Sequence, residues 1–343
     1  MIKHNPFTSN TFVKKWCLHF IKDQASYSFN FIKEVGFYKP TFMPLFINVG
    51  KNLTKGMSYV LNSSIISHDF KNKVLLIYDV PEYFNIKTET LPKKIKAIKI
   101  KQYPGFLTNL ETYIDFNNYF SSTFSKKSRY KFKSYQRVLE SSFDINYKHF
   151  YGNISKESYD DIFEYFNALL KKRFDDKLET NNNLNPKEWD FYYDSSFELI
   201  LEKKASLFVI YDDKKPIAIS LNYFSDNILF FAITVFDMDY FKYNIGKVHL
   251  MELYKWSFEN NIKIFDLSKG YYDYKERWAN VNYNFEHHIY YDSYSISAIS
   301  IAHFLKLFFK LKQFLRGLKL NVLLHKVTYL FKFKKSTSIN ITN

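Results

Sequence analysis

The chain has 343 residues and 46% hydrophobic content, which is enough for two packed units. Its single cysteine, Cys17, excludes an internal disulfide and any multi-cysteine metal site. The net charge is +15, but nine of those positive charges follow Asp292, where no acidic residue occurs. The body is therefore only mildly basic, which argues against nucleic-acid binding by the whole molecule.

The N-terminus, MIKHNPFTSNTFVKKWCLHF, has no continuous apolar core of the kind a signal peptide needs. Together with the lone cysteine, this leads us to expect a cytoplasmic protein. Residues 1–118 read as a first, supporting unit. Its strand candidates include Val74–Val80 and Ile95–Ile100, and Asn62-Ser-Ser and Pro104-Gly105 read as turns. No chemistry is legible in this unit.

Residues 119–140 read as a helix with Ser125 as a capping residue. Arg129, Lys133 and Arg137 share one face, while Phe132, Tyr135 and Leu139 form an apolar stripe. The basic face is either a contact for phosphate or acid, or simply solvated. Residues 156–175 read as an amphipathic helix with Tyr159, Ile162, Phe163, Phe166 and Leu170 inward, and a further helix is expected at Phe197–Lys203. SLFVIYDD, KPIAISLNYF and NILFFAITVF then read as three antiparallel strands, with Asp212-Asp213 and Ser225-Asp226-Asn227 at their turns.

The segment Tyr243–Trp278 is the most informative. A helix starts at Gly246 with Leu250, Leu253, Tyr254 and Phe258 on one stripe, and it ends at Asn260-Asn261. Lys263–Leu267 is a short strand broken by Gly270, followed by a turn rich in tyrosine and charge. A helix start exposes unpaired N–H groups and a positive dipole end, so Gly246 and Lys247 make a candidate phosphate site. The alternative is a helix that merely follows a hairpin.

Three stretches carry a family resemblance: SKKSRYKFKSYQRVLE (125–140), NIGKVHLMELYKWSFENNIKIFDLSKG (244–270) and YYDYKERWA (271–279). They resemble the GNAT superfamily, and more closely the BioF2-like acetyltransferase domain of CelD-type polysaccharide-biosynthesis proteins, over about residues 115–290. Asn244 and Ile245 stand where that family usually shows Ser-Pro, and Val248 stands at the second glycine of the phosphate loop. The resemblance implies an α/β GNAT fold: a mixed, mainly antiparallel sheet flanked by helices, in two GNAT-like halves. The domains would be 1–118, 119–292 and a basic helical tail, 293–343.

It further implies an N-acyltransferase whose donor is acyl-CoA and whose acceptor is an amino group on a sugar, amino acid or lipid precursor. Tyr243, Asn244, Gly246 and Lys247 would hold the CoA. Asp266 would deprotonate or position the amine, Tyr274 would protonate the leaving thiolate, and Lys275 would pair with Asp266 or act on the substrate. Arg129, Lys269 and Arg277 would bind the acceptor. Two rivals remain open: a FemAB-like transferase using aminoacyl-tRNA, and a non-catalytic assembly protein on a degenerate GNAT scaffold. No metal is expected, because the adjacent His287 and His288 point to opposite faces of a strand.

In the tail, Phe304, Phe308, Leu311, Leu315, Leu318 and Val322 form an apolar stripe on a basic helix too often interrupted by lysine to span a membrane. It would either lie on an anionic membrane surface or pack on the domain.

Overall fold

The computed structural model describes residues 2, 4–22, 24–40, 42–62, 68–88, 91–176 and 182–318. Helix α1 (Asn10–Ile21) leads into β1 (Tyr27–Phe29), β2 (Ile32–Tyr38), β3 (Leu45–Asn48), β4 (Val60–Leu61), β5 (Val74–Pro81) and the long β6 (Ile95–Asn109). Helices α2 (Phe116–Thr123) and α3 (Lys126–Ser142) follow, then β7 (Ile145–Phe150), α4 (Lys156–Asp176) and α5 (Pro186–Leu201). The hairpin-linked β8 (Ala205–Asp212), β9 (Lys215–Ser225) and β10 (Ile228–Phe236) precede α6 (Ile245–Glu259) and β11 (Ile264–Lys269). The described chain closes with α7 (Asp273–Trp278), β12 (Val281–Asp292) and α8 (Ile296–Gly317).

The strands form one sheet in the order β1-β2-β3-β5-β12-β6-β11-β10-β9-β8-β7, with β4 attached to β2. This is the expected mixed α/β fold. Among the described residues, pairing is antiparallel except at β3·β5 and β10·β11. β12 inserts between β5 and β6, so the sheet runs continuously across residue 118.

Both faces are covered. Leu207 and Val209 of β8 face a core shared with α1, α4 and α5, while Phe208 between them faces a second core under α2, α3 and α6. Burial on both sides explains why β8–β10 read as almost unbroken apolar runs rather than alternating ones. The inward residues expected of the helix at 156–175, including Tyr159, Phe163 and Phe166, are all buried.

Several expectations are corrected. Pro104-Gly105 is not a turn but lies inside β6, where Gly105 pairs with Tyr283. A Cβ at Gly105 would lie 2.3 Å from the Tyr283 ring, so the glycine answers a close approach, not a chain reversal. The helix read at 119–140 is two helices. Ser125 caps the second, accepting from the Ser128 N–H, and the chain is extended at Phe124. The helix expected at Phe197–Lys203 begins earlier, at Pro186, behind an Asn185 cap. In the tail, α8 forms, but it docks through Ala298, Ala302 and Phe309 and leaves the stripe of Phe304, Phe308, Leu311, Leu315 and Leu318 exposed. Val322 and the basic residues from Lys319 onward lie outside the described residues, as do the two serines after Asn62.

Candidate active site

A wedge in the sheet creates the site. β10 and β11 pair in parallel only from Ile228↔Ile264 to Phe230↔Asp266 and then diverge. On the β10 side, a bulge between Phe231 and Ile233 bends the strand. On the β11 side, Ser268 takes a left-handed conformation (φ 66°) and Gly270 does the same (φ 94°), turning the chain into α7.

Helix α6 starts at the mouth of this wedge. Asn244 is left-handed (φ 53°), and its carbonyl accepts from the N–H groups of Lys247 (2.8 Å) and Val248 (3.3 Å). Among the described residues, the N–H groups of Ile245 and Gly246 meet no acceptor, so they are open to a ligand. A Cβ at Gly246 would lie 2.9 Å from the Phe236 ring, so β10 itself demands glycine there. The Lys247 ammonium donates to Asn244 Oδ1 at 2.8 Å and lies 5.1 Å from the Tyr135 ring centre.

The wedge holds a cavity of about 510 Å³. Lys55, Arg173, Lys247, Lys269 and Lys275 contribute to its wall, and among the described residues no carboxylate does. Tyr272 and Tyr274 of the tyrosine-rich turn line it as well. Such a wall suits a ligand carrying several negative charges.

The charged groups divide by their partners. Lys275 is 5% exposed and donates to the carbonyls of Ser268 (3.2 Å) and Lys269 (2.9 Å). Burial lowers its pKa to about 8, opposed by the Asp266 charge and assisted by that of Lys269. Asp266 is fully buried behind the wall rather than on it. Its carboxylate accepts from Tyr283 (2.6 Å), Tyr83 (2.9 Å) and the Ser268 N–H (2.7 Å). Burial raises its pKa to about 6 against those hydrogen bonds. Tyr274 is on the wall, and burial pushes its hydroxyl well up, so it stays protonated. Lys269 reaches away from the cavity, to Asp79 Oδ2 (2.5 Å) and the carbonyls of Asn52 (2.9 Å) and Thr54 (3.4 Å).

Of the residues expected at the site, Asn244, Gly246, Lys247, Lys269, Tyr274 and Lys275 come together around the cavity. Tyr243, Arg129 and Arg277 do not reach its wall. Tyr243 packs on Phe143, Arg129 donates to the carbonyls of Ser121 (2.8 Å) and Phe124 (3.3 Å) at the end of α2, and Arg277 turns back to the Asp273 carbonyl. His287 and His288 serve different neighbourhoods: His287 packs against Phe309, and His288 bridges Tyr59 (2.5 Å) and Glu286 (2.9 Å).

Two residues were missed. Arg173, at the end of α4, stands 4.5 Å over the Phe236 ring and falls on the buried side with Leu170. A cation continuing an apolar stripe was the available signal. Lys55 comes from the first unit, where no chemistry had been read. Gly56 packs so closely on Phe230 of β10 that a Cβ would lie 2.7 Å from its ring, and Asn5 holds the Gly56 carbonyl at 2.7 Å. With Lys269 binding the carbonyls of Asn52 and Thr54, the segment is pinned on both sides of Lys55. Burial lowers the Lys55 pKa to about 7, and the charges of Lys269 and Lys275 act in the same direction while Asp79 and Glu188 oppose them.

Residues 126–276 match the family model described as an acetyltransferase (GNAT) domain. This segment is a GNAT domain. No curated protein matches the chain significantly. Among solved structures, the chain is similar to a conserved protein of unknown function from Bacteroides thetaiotaomicron, at 12% identity and a TM-score of 0.53, covering 84% of this chain and 91% of that one. It is also similar to FemX, at 10% identity and a TM-score of 0.53, covering 82% and 91%. L-PGS from Bacillus licheniformis gives 12% identity and a TM-score of 0.52, covering 91% and 98%. At these identities the likeness is one of fold. It extends well beyond the GNAT domain into the first 118 residues, which supply Lys55. Among the described residues, no group of three or more His, Cys, Asp or Glu side chains is placed to hold a metal ion.

Proposed function

We propose that the cleft between β10 and β11 transfers an acyl group from an acyl-CoA to an amino group. The observation that carries this reading is the wedge itself: a parallel pair that opens onto a helix start with two free N–H groups, inside a GNAT domain. The N–H groups of Ile245 and Gly246, with Lys247, would hold the pyrophosphate of the donor. The acyl end would lie in the wedge, along the edge of β10 that β11 has left.

The chemistry then needs a base, charge stabilisation and an acid. Lys55 is the wall lysine whose pKa burial brings down to about 7, so its neutral fraction would take the proton from the acceptor ammonium. The amine attacks the thioester carbonyl, forming the C–N bond, and the Lys275 ammonium offsets the developing oxyanion. Collapse breaks the C–S bond, Tyr274 donates its proton to the departing thiolate, and the second proton shed by the new amide nitrogen restores Tyr274. Asp266 positions the group: it holds the β11 exit through Ser268 and sustains the charge on Lys275. The acceptor, on this reading, is an amine of a sugar or lipid-linked precursor used in building surface polysaccharide on the cytoplasmic side.

One observation favours a second reading, an aminoacyl-tRNA donor. Burial lowers the Lys247 pKa, and the charges of Arg277 and Lys131 act in the same direction, so the mouth of the cleft has a basic rim beyond what one pyrophosphate needs. The test is thiol release from acetyl-CoA in the presence of amino-sugar acceptors, with Lys55→Met as control. Release that the variant loses supports the CoA reading. Transfer from aminoacyl-tRNA without any CoA turnover would replace it with the second reading. Inactivity with both donors would leave a non-catalytic scaffold.

A further inference from the structure

We propose that α8 seats the protein on an anionic lipid surface, with its outward apolar face in the interface and its flanking lysines against the headgroups. The helix has two opposed faces. Ala298, Ala302, Leu305 and Phe309 meet the sheet through Leu76, Ile100 and Ile289. Phe304, Leu307, Phe308, Leu311, Phe314, Leu315 and Leu318 are instead between 42% and 68% exposed. At the α-helical repeat these residues centre about 150° round the axis from the docked face. Docking on the protein thus accounts for one side of α8 and leaves the larger, more apolar side unpartnered. Single exposed leucines need no explanation, but seven large apolar side chains on one helical face do.

Charge selects the occupant. Lys310 borders the exposed face, with Lys306 a step beyond it, while Lys312 sits beside the docked face, where it feels the charges of Arg316, Lys51 and Asp79. No acidic residue follows Asp292 anywhere in the chain. A second copy of α8 would bring lysines against lysines. The remaining stretch, 319–343, is itself basic and acid-free, so it offers no complementary charge. An anionic bilayer answers both features, because it accepts the apolar face and neutralises the flanks. Among the described residues no helix is long and apolar enough to cross a membrane, so attachment would be at the surface.

The arrangement bears on the cleft. Near the end of α8, Arg316 lies 3.9 Å over the Tyr103 ring, and Lys269 of the cavity wall is 5.9 Å from the same ring. The membrane-facing helix therefore ends one aromatic ring away from the back of the site. This would hold the cleft near amphipathic or lipid-linked amines, although the docking itself does not depend on which donor is used.

Co-sedimentation of the full chain with vesicles tests the proposal. Vesicles of phosphatidylcholine alone are compared with vesicles containing one third phosphatidylglycerol, at low and high salt. The chain should bind the anionic vesicles, and high salt should weaken that binding severalfold. A Leu307→Gln/Leu311→Gln/Phe314→Gln variant, altered only at exposed positions, should melt as the wild type does and bind at least tenfold more weakly. Lys306→Gln/Lys310→Gln should lose the preference for anionic over neutral vesicles. Three results would overturn the proposal. The first is no vesicle binding by the wild type, and the second is undiminished binding by the triple-glutamine variant. The third is a dimeric wild type that fails to bind vesicles and becomes monomeric in that variant, which would identify a second copy as the occupant.

Discussion

The ammonium of Lys269, at the end of β11, lies 2.5 Å from a carboxylate oxygen of Asp79 on β5. This pair ties the exit of β11 to β5, and Lys269 also fixes, through the carbonyls of Asn52 and Thr54, the segment that carries Lys55. Asp79 is 1% exposed, and among the described residues its other oxygen has no hydrogen-bond partner. Lys269→Met would therefore leave a buried carboxylate uncompensated, at a cost of about 3 kcal/mol. Urea unfolding measures this. The double variant with Asp79→Asn should recover part of the loss, and a single-variant loss below about 1 kcal/mol would mean the pair is no clamp.

Stability should respond to pH through two neighbouring groups of opposite sign. The native pKa of Lys275, about 8, is below its ordinary 10.5, so the native state sheds the proton first. Its contribution makes the fold more stable as pH rises from about 8 to 10.5, and Lys275→Met should flatten that rise. Asp266 has a native pKa of about 6 against an ordinary 3.8. Its contribution is full below 3.8 and is lost as pH rises through 6, so Asp266→Asn should remove that fall. Denaturant midpoints across pH 3–11 read both.

Activity should depend on pH in a bell shape, rising as Lys55 loses its proton near pH 7 and falling as Lys275 does near pH 8. Asp266 raises the Lys275 pKa, so Asp266→Asn should move the descending limb toward acid while turnover at its optimum survives. An unmoved limb would remove the positioning role. Asp266 acting as the base itself would instead abolish turnover at every pH.

Lys55→Met should lower kcat by about 10² to 10⁴ and leave donor binding nearly unchanged, because it removes a proton acceptor and not the helix α6 site. The rising limb of the pH profile should vanish with it. Lys55→Met that retains both kcat and the limb would return Lys55 to a structural role.

The two sides of α8 should behave differently under mutation. Phe309→Ala opens the contact with Tyr78 and His287 and should cost about 3 kcal/mol. Phe308→Ala, on the exposed side, should stay within about 0.5 kcal/mol. Removing the whole helix would uncover Leu76 and Ile289, so truncation before Ile296 should aggregate the protein. Melting temperatures of the two point variants check the asymmetry.

The sequence was legible where local rules suffice. The hairpins of β8–β10, the stripe on α6, the break at Gly270 and the Ser125 cap each follow from a few adjacent residues. It was opaque where the answer lies across the sheet. Gly105 looked like a turn because its partner, the Tyr283 ring, is 178 residues away. Lys55 looked unremarkable because its burial depends on Phe230, Lys269 and Asn5 together. Asp266 was correctly read as a buried carboxylate needing a partner, but the partners that satisfy it, Tyr83 and Tyr283, come from outside the segment that flagged it. The same limit applies to α8: periodicity found its apolar residues, and only the contacts reveal that the docked side is the other one.

The central claim is that the start of α6 holds the phosphates of an acyl donor, and calorimetric titration of acetyl-CoA tests it most directly. The account predicts saturable one-to-one binding by the wild type. Gly246→Asp should abolish it, because the new side chain meets the Phe236 ring and brings a negative charge to the helix start. Absence of binding by the wild type, or equal binding by Gly246→Asp, would contradict the account.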